Sequence, residues 1–238
     1  DLLKYDWRED AEVLKSVCYY TKSRVNNAKN SKDFELAYGM EQPFVLKAIA
    51  KHFGSSNFFE IGTGRGTGSY AVATSENVKK ISTVDIIPYG YKRPEAIGYD
   101  AAYVSNADLY QMVKSPGKEK ISFYERSQYS EVLQNKPEEG YDLFFIDGNH
   151  TDFNVIAEDF MMCKLLFGKD PVIIWDDFYP DKFAIKDVVA TVLEQNADFK
   201  AFLVSTRGHI FKNKEPEKGS GMVVMLKKET YENIFSEG

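Results

Sequence analysis

Apolar residues recur with two different periods along this chain, and the changes of period divide it into elements. Val45, Ala48, Ile49, His52 and Phe53 fall at i, i+3, i+4, i+7 and i+8, the stripe of an amphipathic helix. Val13, Leu14, Val17 and Cys18 form a similar face in a helical-looking first segment, residues 1–30. Downstream, short runs nearly continuous in Val, Ile and Phe alternate with helical stretches. The runs are Asn57–Ile61, Ile81–Ile86, Ile121–Tyr124, Tyr141–Ile146 and Val172–Trp175. They suit strands buried on both faces of a parallel sheet. Helices are predicted over Gly68–Ser75, about Asp100–Val113, Tyr129–Asn135, Phe153–Phe167 and Phe183–Gln195.

This alternation predicts a doubly wound α/β fold with right-handed crossovers. The end departs from it. Phe199–Thr206 and Gly221–Lys227 read as strands joined by a polar stretch, Arg207–Ser220, with no helical pattern. A long hairpin follows, so the last of seven strands is expected to lie antiparallel. No repeat or linker interrupts the chain. Residues 1–238 are expected to form one domain, with 1–40 as a helical cap and 41–238 as the core.

Composition narrows the partners. At 238 residues and 43% hydrophobic content, the chain can bury a substantial core. A net charge of -6 with scattered Lys and Arg argues against nucleic acid, which needs basic stripes. No apolar run approaches the ~20 residues that span a bilayer, so no membrane partner is expected. The two cysteines, Cys18 and Cys163, sit in apolar helical contexts. That argues against a disulfide framework and for a reducing, cytoplasmic setting.

The candidate chemistry begins where the first strand, Phe58-Phe59-Glu60-Ile61, feeds Gly62-Thr63-Gly64-Arg65-Gly66-Thr67-Gly68-Ser69. Alternating glycines let backbone approach a ligand closely before a helix opens. Two ligand classes compete. The dinucleotide pattern G-x-G-x-x-G matches Gly62 and Gly64 but meets Thr67 at its third glycine; begun at Gly64, it meets Ser69. The pattern E-x-G-x-G-x-G matches fully at Glu60, Gly62, Gly64 and Gly66. An acid ahead of the glycines repels a pyrophosphate but is tolerable beside an amine or sulfonium. Asp85 ends the second strand, where a carboxylate accepts ribose hydroxyls in this kind of fold. Ligands sit outside the C-terminal strand ends, so Gly62, Asp85, Asp147 and Asp176 are expected on one rim.

Two further strands carry acids on that rim. Tyr141–Ile146 leads into Asp147-Gly148-Asn149-His150, and Val172–Trp175 into Asp176-Asp177. Adjacent strand ends lie ~5 Å apart. Two unit charges there repel by ~3 kcal/mol at an effective dielectric of ~20. Protonation, a basic side chain or a cation must offset this. Oxygen ligands on a partly open rim suit Mg²⁺ held by Asp147, Asp176 and Asp177.

With these residues in place, the chain resembles class I S-adenosylmethionine-dependent methyltransferases from Gly39 to Lys227. Within them it resembles the metal-dependent O-methyltransferases, the catechol O-methyltransferase group and the sugar O-methyltransferases of antibiotic pathways. The resemblance implies their Rossmann-like seven-stranded fold and S-adenosylmethionine as cosubstrate. Ser127 and Gln128 resemble a pair that contacts adenine, and Gly39 and Met40 a segment whose backbone meets the methionine end. The family holds its metal with Asp, Asp and Asn; Asp177 stands at the Asn position, closer to the sugar-modifying relatives.

His150 stands where the catechol enzyme has its lysine base. Histidine, with an ordinary pKa of ~6.5, suits proton transfer near neutral pH. A helix-start cap and a hydrogen bond to the metal shell are its other available roles. Asp147 thus enters the metal set, the cofactor-binding set and, with His150, the catalytic pair. The implied reaction is O-methylation of a small-molecule hydroxyl on a catechol-like, polyol or sugar acceptor. An NAD-dependent oxidoreductase and a noncatalytic nucleoside-binding protein are the alternatives. Tyr89, Tyr91, Tyr99, Tyr103 and Tyr110 form either an aromatic lid or a packing segment. His209 and its hairpin offer a second wall, and the N-terminal helices either a cover or a homodimer contact.

Overall fold

The computed structural model describes residues 41–92, 104–206 and 220–235. The expected cap over 1–40, with Gly39, Met40 and Cys18, lies outside the described residues, as do Tyr99, Tyr103 and His209. The described helices are α1 (Gln42–His52), α2 (Thr67–Ala73), α3 (Asn106–Met112), α4 (Tyr129–Gln134), α5 (Phe153–Lys164), α6 (Ile185–Gln195) and α7 (Lys228–Phe235). The strands are β1 (Asn57–Ile61), β2 (Lys80–Asp85), β3 (Ile121–Glu125), β4 (Tyr141–Ile146), β5 (Phe167–Phe178), β6 (Phe199–Ser205) and β7 (Gly221–Lys227).

All seven strands join one sheet in the order β3-β2-β1-β4-β5-β7-β6. The first five run parallel, and β7 lies antiparallel to both β5 and β6. This is the doubly wound sheet with an antiparallel last strand that the hydrophobic pattern implies. Strand side chains alternate between two cores. Phe59, Ile61, Phe144, Ile146, Ile173 and Trp175 face α5 and α6, meeting Ile156, Phe160 and Val188. Phe58, Leu143, Phe145, Ile174 and Val224 face α1 and α2, meeting Leu46, Ile49 and Val72. Parallel strands covered on both sides need apolar residues at every position, which is why these runs read as continuous rather than alternating.

Two helix boundaries and one additional helix depart from the sequence pattern. The helix expected over 153–167 ends at Lys164, because Phe167 already opens β5 and pairs with Tyr141. The helix expected from about Asp100 has its described start at Asn106, where Ser105 and Asp108 close a capping box. The charged stretch after β7 forms α7, whose Tyr231 and Phe235 rings pack on Phe202 at 6.2 and 5.2 Å. None of the helix's residues is buried.

Candidate active site at the C-terminal edge of the sheet

The site begins at the turn out of β1. Gly62 N–H donates to Val84 at 2.8 Å, and Asp147 N–H donates to Ile61 at 2.8 Å, so the turn is pinned between β2 and β4. Gly62 has φ 94°, and a Cβ there would stand 2.0 Å from the Asp147 carbonyl oxygen. No side-chain rotation relieves a clash with backbone. Gly62→Ala is therefore expected to destabilise the fold by ~3 kcal/mol or more, measured as a lower midpoint in urea. Gly66, with φ 78°, then turns the chain into α2.

Asp85 secures the outer side of this loop. Its Oδ2 accepts from Gly64 N–H at 2.9 Å and its Oδ1 from Ile87 N–H at 2.9 Å. Gly62, Gly64, Asp85 and Asp147 line one cavity of about 300 Å³. That volume lies at the lower end for small-molecule sites.

Glu60 lies behind the loop. It is 1% exposed, on the face of β1 that meets α2. Its Oε2 accepts from Ser69 at 2.7 Å and from Thr83 at 2.6 Å. Thr63 in turn shares a 2.6 Å hydrogen bond with Thr83. Glu60 ties loop, β2 and α2 together and is not among the residues lining the cavity. Strand alternation turns it onto the covered face of the sheet. Burial pushes its carboxyl up to about 7, against the Thr83 and Ser69 hydrogen bonds, with Asp85 adding repulsion.

The pH consequence follows from the sign of that shift. The folded state holds the Glu60 proton more tightly than the unfolded chain does. Its stabilising contribution is full below pH 4.5 and is lost as pH rises to about 7. The loss amounts to ~3 kcal/mol. Glu60→Gln is expected to flatten this part of the stability curve, as measured by urea unfolding at pH 5 and pH 8.

The acidic rim forms where β4 and β5 end. Ile146 pairs with Trp175, which sets Asp147 beside Asp176. Beyond Trp175, β5 carries one residue more than β7 before the ladder resumes at Phe178 and Gly221. Asp177 takes φ 53° in this bulge. A left-handed backbone costs a non-glycine residue ~1–2 kcal/mol, and bulges re-aim side chains at strand ends. Asp177 Oδ2 comes to lie 3.5 Å from His150 Nε2. Asp147, His150 and Asp177 each offer a ligand atom within 4.8 Å of the others.

Asp176 is 6% exposed and joins the cluster differently. Gln42 Nε2 donates to Asp176 Oδ2 at 2.6 Å and to Asp147 Oδ2 at 3.0 Å, bridging the two acids. The Asp147 carboxyl is raised well above its ordinary range by burial, then by the charges of Asp176 and Asp177. The Gln42 hydrogen bond pulls it back, and Glu60 pushes it further up. Carboxylate oxygens gathered in this way fit a divalent cation. An imidazole nitrogen within the same reach widens the choice beyond Mg²⁺.

His150 does not cap the next helix. Asp152 does, with Oδ1 accepting from Asn154 and Val155 N–H at 2.9 and 3.3 Å. The His150 ring instead lies 5.5 Å from the Phe183 ring, and its carbonyl accepts from Ala184 N–H at 3.0 Å.

The other expected residues are dispersed. Ser127 and Gln128 are exposed and not among the cavity-lining residues; Gln128 Oε1 accepts from Glu125 N–H at 2.9 Å. The turn presents Arg126 to the cavity instead. Tyr89 stacks on Phe123 at 4.5 Å and Tyr110 meets it edge-on at 5.9 Å. Both rings thus pack against β3, while Tyr91 is 52% exposed. Gln42, Arg126 and Asp159 are cluster or cavity residues that the motifs did not single out. Asp159 had left a signal, a lone acid in the apolar stripe Ile156, Phe160 and Cys163. Gln42 had none.

No protein-family model matches the chain, and no curated protein matches it in sequence. Solved structures match it in shape. The O-methyltransferase TomG from Streptomyces achromogenes, involved in tomaymycin synthesis and solved with SAM, is 17% identical with a TM-score of 0.54. The match covers 92% of this chain and 90% of that one. An O-methyltransferase from Bacillus cereus, solved with SAH, is 14% identical with a TM-score of 0.53, over 92% and 91% of the two chains. A putative O-methyltransferase from Klebsiella pneumoniae is 12% identical with a TM-score of 0.55, over 92% and 90%. These likenesses establish that the chain has the class I methyltransferase fold. Among the described residues, no helix is long and apolar enough to cross a membrane.

Proposed function

We propose that this protein is an S-adenosylmethionine-dependent methyltransferase acting on a hydroxyl of a small molecule, with a divalent cation at its acidic rim. One observation carries the reading. The glycine turn, Asp85 and Asp147 line a single cavity, and Asp147 also belongs to the Asp–His–Asp cluster. In this reading a cosubstrate site and an acceptor site would share the Asp147 carboxylate. Similarity to O-methyltransferases solved with SAM or SAH supports the cosubstrate.

In this reading Asp85 accepts the ribose hydroxyls, while Gly62 and Gly64 bring bare backbone against the cosubstrate. Its sulfonium supplies an electrophilic methyl group. Asp147 and Asp177, with Asp176 beside them, would hold the cation, Mg²⁺ or a relative. A cation held there would neutralise the crowded carboxylates and would lower the proton affinity of an acceptor hydroxyl. Left outside the ligand set, His150 would take that proton, and Asp177, 3.5 Å from its Nε2, would stabilise the resulting imidazolium. Phe183 limits how far the imidazole can swing. Holding the reactants in line contributes ~7–11 kcal/mol to such a two-substrate reaction, and no covalent enzyme intermediate is needed.

Calorimetry with S-adenosylhomocysteine and with NAD tests the cosubstrate. Binding of the first alone is expected; preferential NAD binding would overturn the assignment. A panel of catechols, vicinal diols and sugars, assayed for methyl transfer with and without EDTA, then tests acceptor and metal. Undiminished turnover in EDTA would remove the cation from the scheme.

A further inference from the structure

Between the turn after β3 and Gly148 lies a side-chain pair that the proposed chemistry leaves unused. Asp159 is 1% exposed, on the sheet-facing side of α5. Arg126, from the turn after β3, donates through Nη1 to Asp159 Oδ1 at 2.5 Å. Its Nη2 lies 3.6 Å from Glu158. Asp159 Oδ2 is left buried with no hydrogen-bond partner. Such an atom is costly unless a donor reaches it. Asp159 itself lines the cavity, so a donor can arrive from a ligand there.

The surroundings specify what kind of ligand. Ile86, Ile87 and Val155 supply apolar wall, and Ile86 is left 76% exposed at the cavity's edge. Apolar walls with one fixed acceptor fit a flat ring that carries an N–H donor on its edge. Asp85 marks the ribose position, and Arg126 and Asp159 line the same cavity beyond the strand ends. The residues expected to meet the base, Ser127 and Gln128, are not among its lining.

We propose that Asp159 Oδ2 accepts the 6-amino group of the cosubstrate's purine and is the base-specificity residue of this chain. The inference rests on the cosubstrate reading above. Arg126 occupies Oδ1 and fixes the plane of the carboxylate, leaving Oδ2 to the ligand. A carboxylate oxygen accepts an N–H but opposes a carbonyl oxygen, so a 6-amino purine is admitted and a 6-oxo purine disfavoured.

Titration calorimetry of the full chain with S-adenosylhomocysteine and S-inosylhomocysteine tests this. The native protein is expected to bind the adenosyl compound at least ~10-fold more tightly, since a site built around one hydrogen bond rejects an analogue that cannot make it. Asp159→Asn keeps an oxygen for Arg126 and presents an amide donor in place of Oδ2. It is expected to shrink or reverse that preference, with affinity for the inosyl compound held or improved. Equal binding of both compounds by the native protein would overturn the proposal. So would a parallel loss of both affinities in the variant, the mark of a purely structural role. If the variant does not fold, the native protein decides with the 6-dimethylamino analogue, which lacks both N–H donors. A loss of ~10-fold or more supports the proposal, and undiminished binding overturns it. Failure of the native protein to bind S-adenosylhomocysteine at all would bring down the cosubstrate reading as well, an outcome distinct from equal binding.

Discussion

Alanine at position 150 is expected to lower kcat by ~10²–10⁴-fold, the usual contribution of a positioned acid or base, while affinity for S-adenosylhomocysteine stays within a few-fold. The split follows from where His150 lies. Its Nε2 faces Asp177 at 3.5 Å and its ring faces Phe183, and it is not among the residues lining the cavity with Gly62 and Asp85. Truncation removes the proposed proton acceptor without touching the glycine turn. Partial recovery of turnover on adding imidazole would separate a lost base from a lost contact. A kcat loss of tenfold or less, with no recovery, would reduce His150 to a residue that orients the acceptor.

Asp147→Asn is expected to move activity and stability in opposite directions. Asp147 and Asp176 accept from the same Gln42 nitrogen, so their charges are close. At ~5 Å and an effective dielectric of ~20 they repel by ~3 kcal/mol. Asparagine removes that repulsion and keeps an oxygen for Gln42. With EDTA present, the variant is expected to melt higher by ~3–6 °C, taking about half of the repulsion as recovered at 2–4 °C per kcal/mol.

The advantage has a definite pH dependence. The native Asp147 carboxyl is raised, so the folded state binds its proton more tightly. Its contribution to stability is full below the ordinary aspartate range and falls as pH rises through the raised value. The gap between variant and native protein should therefore widen from pH 4 upward. Methyl transfer should drop by ~10³-fold, since the cation supplies several kcal/mol of charge stabilisation. Added Mg²⁺ should raise the melting temperature of the native protein and leave that of the variant nearly unchanged. A variant that melts lower than the native protein at pH 8 in EDTA would contradict the electrostatic account.

Much of this arrangement is legible in the sequence. The glycine turn and the acids at 85, 147, 176 and 177 all follow apolar runs. Once parallel strands are granted, topology puts their C-terminal ends on one edge. What could not be read is which side chain meets which. Gln42 lies 105 residues from Asp147 and 134 from Asp176, and no local pattern marks it. Arg126 and Asp159 are 33 residues apart on different elements. Glu60 matched its motif and, one pleat along from Ile61, it faces α2, where Ser69 donates to it.

The hydrophobic periods alone specify the order and type of the elements, the doubly wound sheet with its reversed last strand, and the edge that gathers the glycine turn and the acidic residues. These depend on local spacing and on chain-connection rules that leave few topologies open. Packing decides the rest. Strand alternation hides Glu60, the β5 bulge brings Asp177 to His150, Gln42 bridges two acids, and Asp159 keeps one bare oxygen beside the cavity. Each is a contact between residues remote in sequence, set by register to within a few ångströms, and short-range patterning carries no record of it.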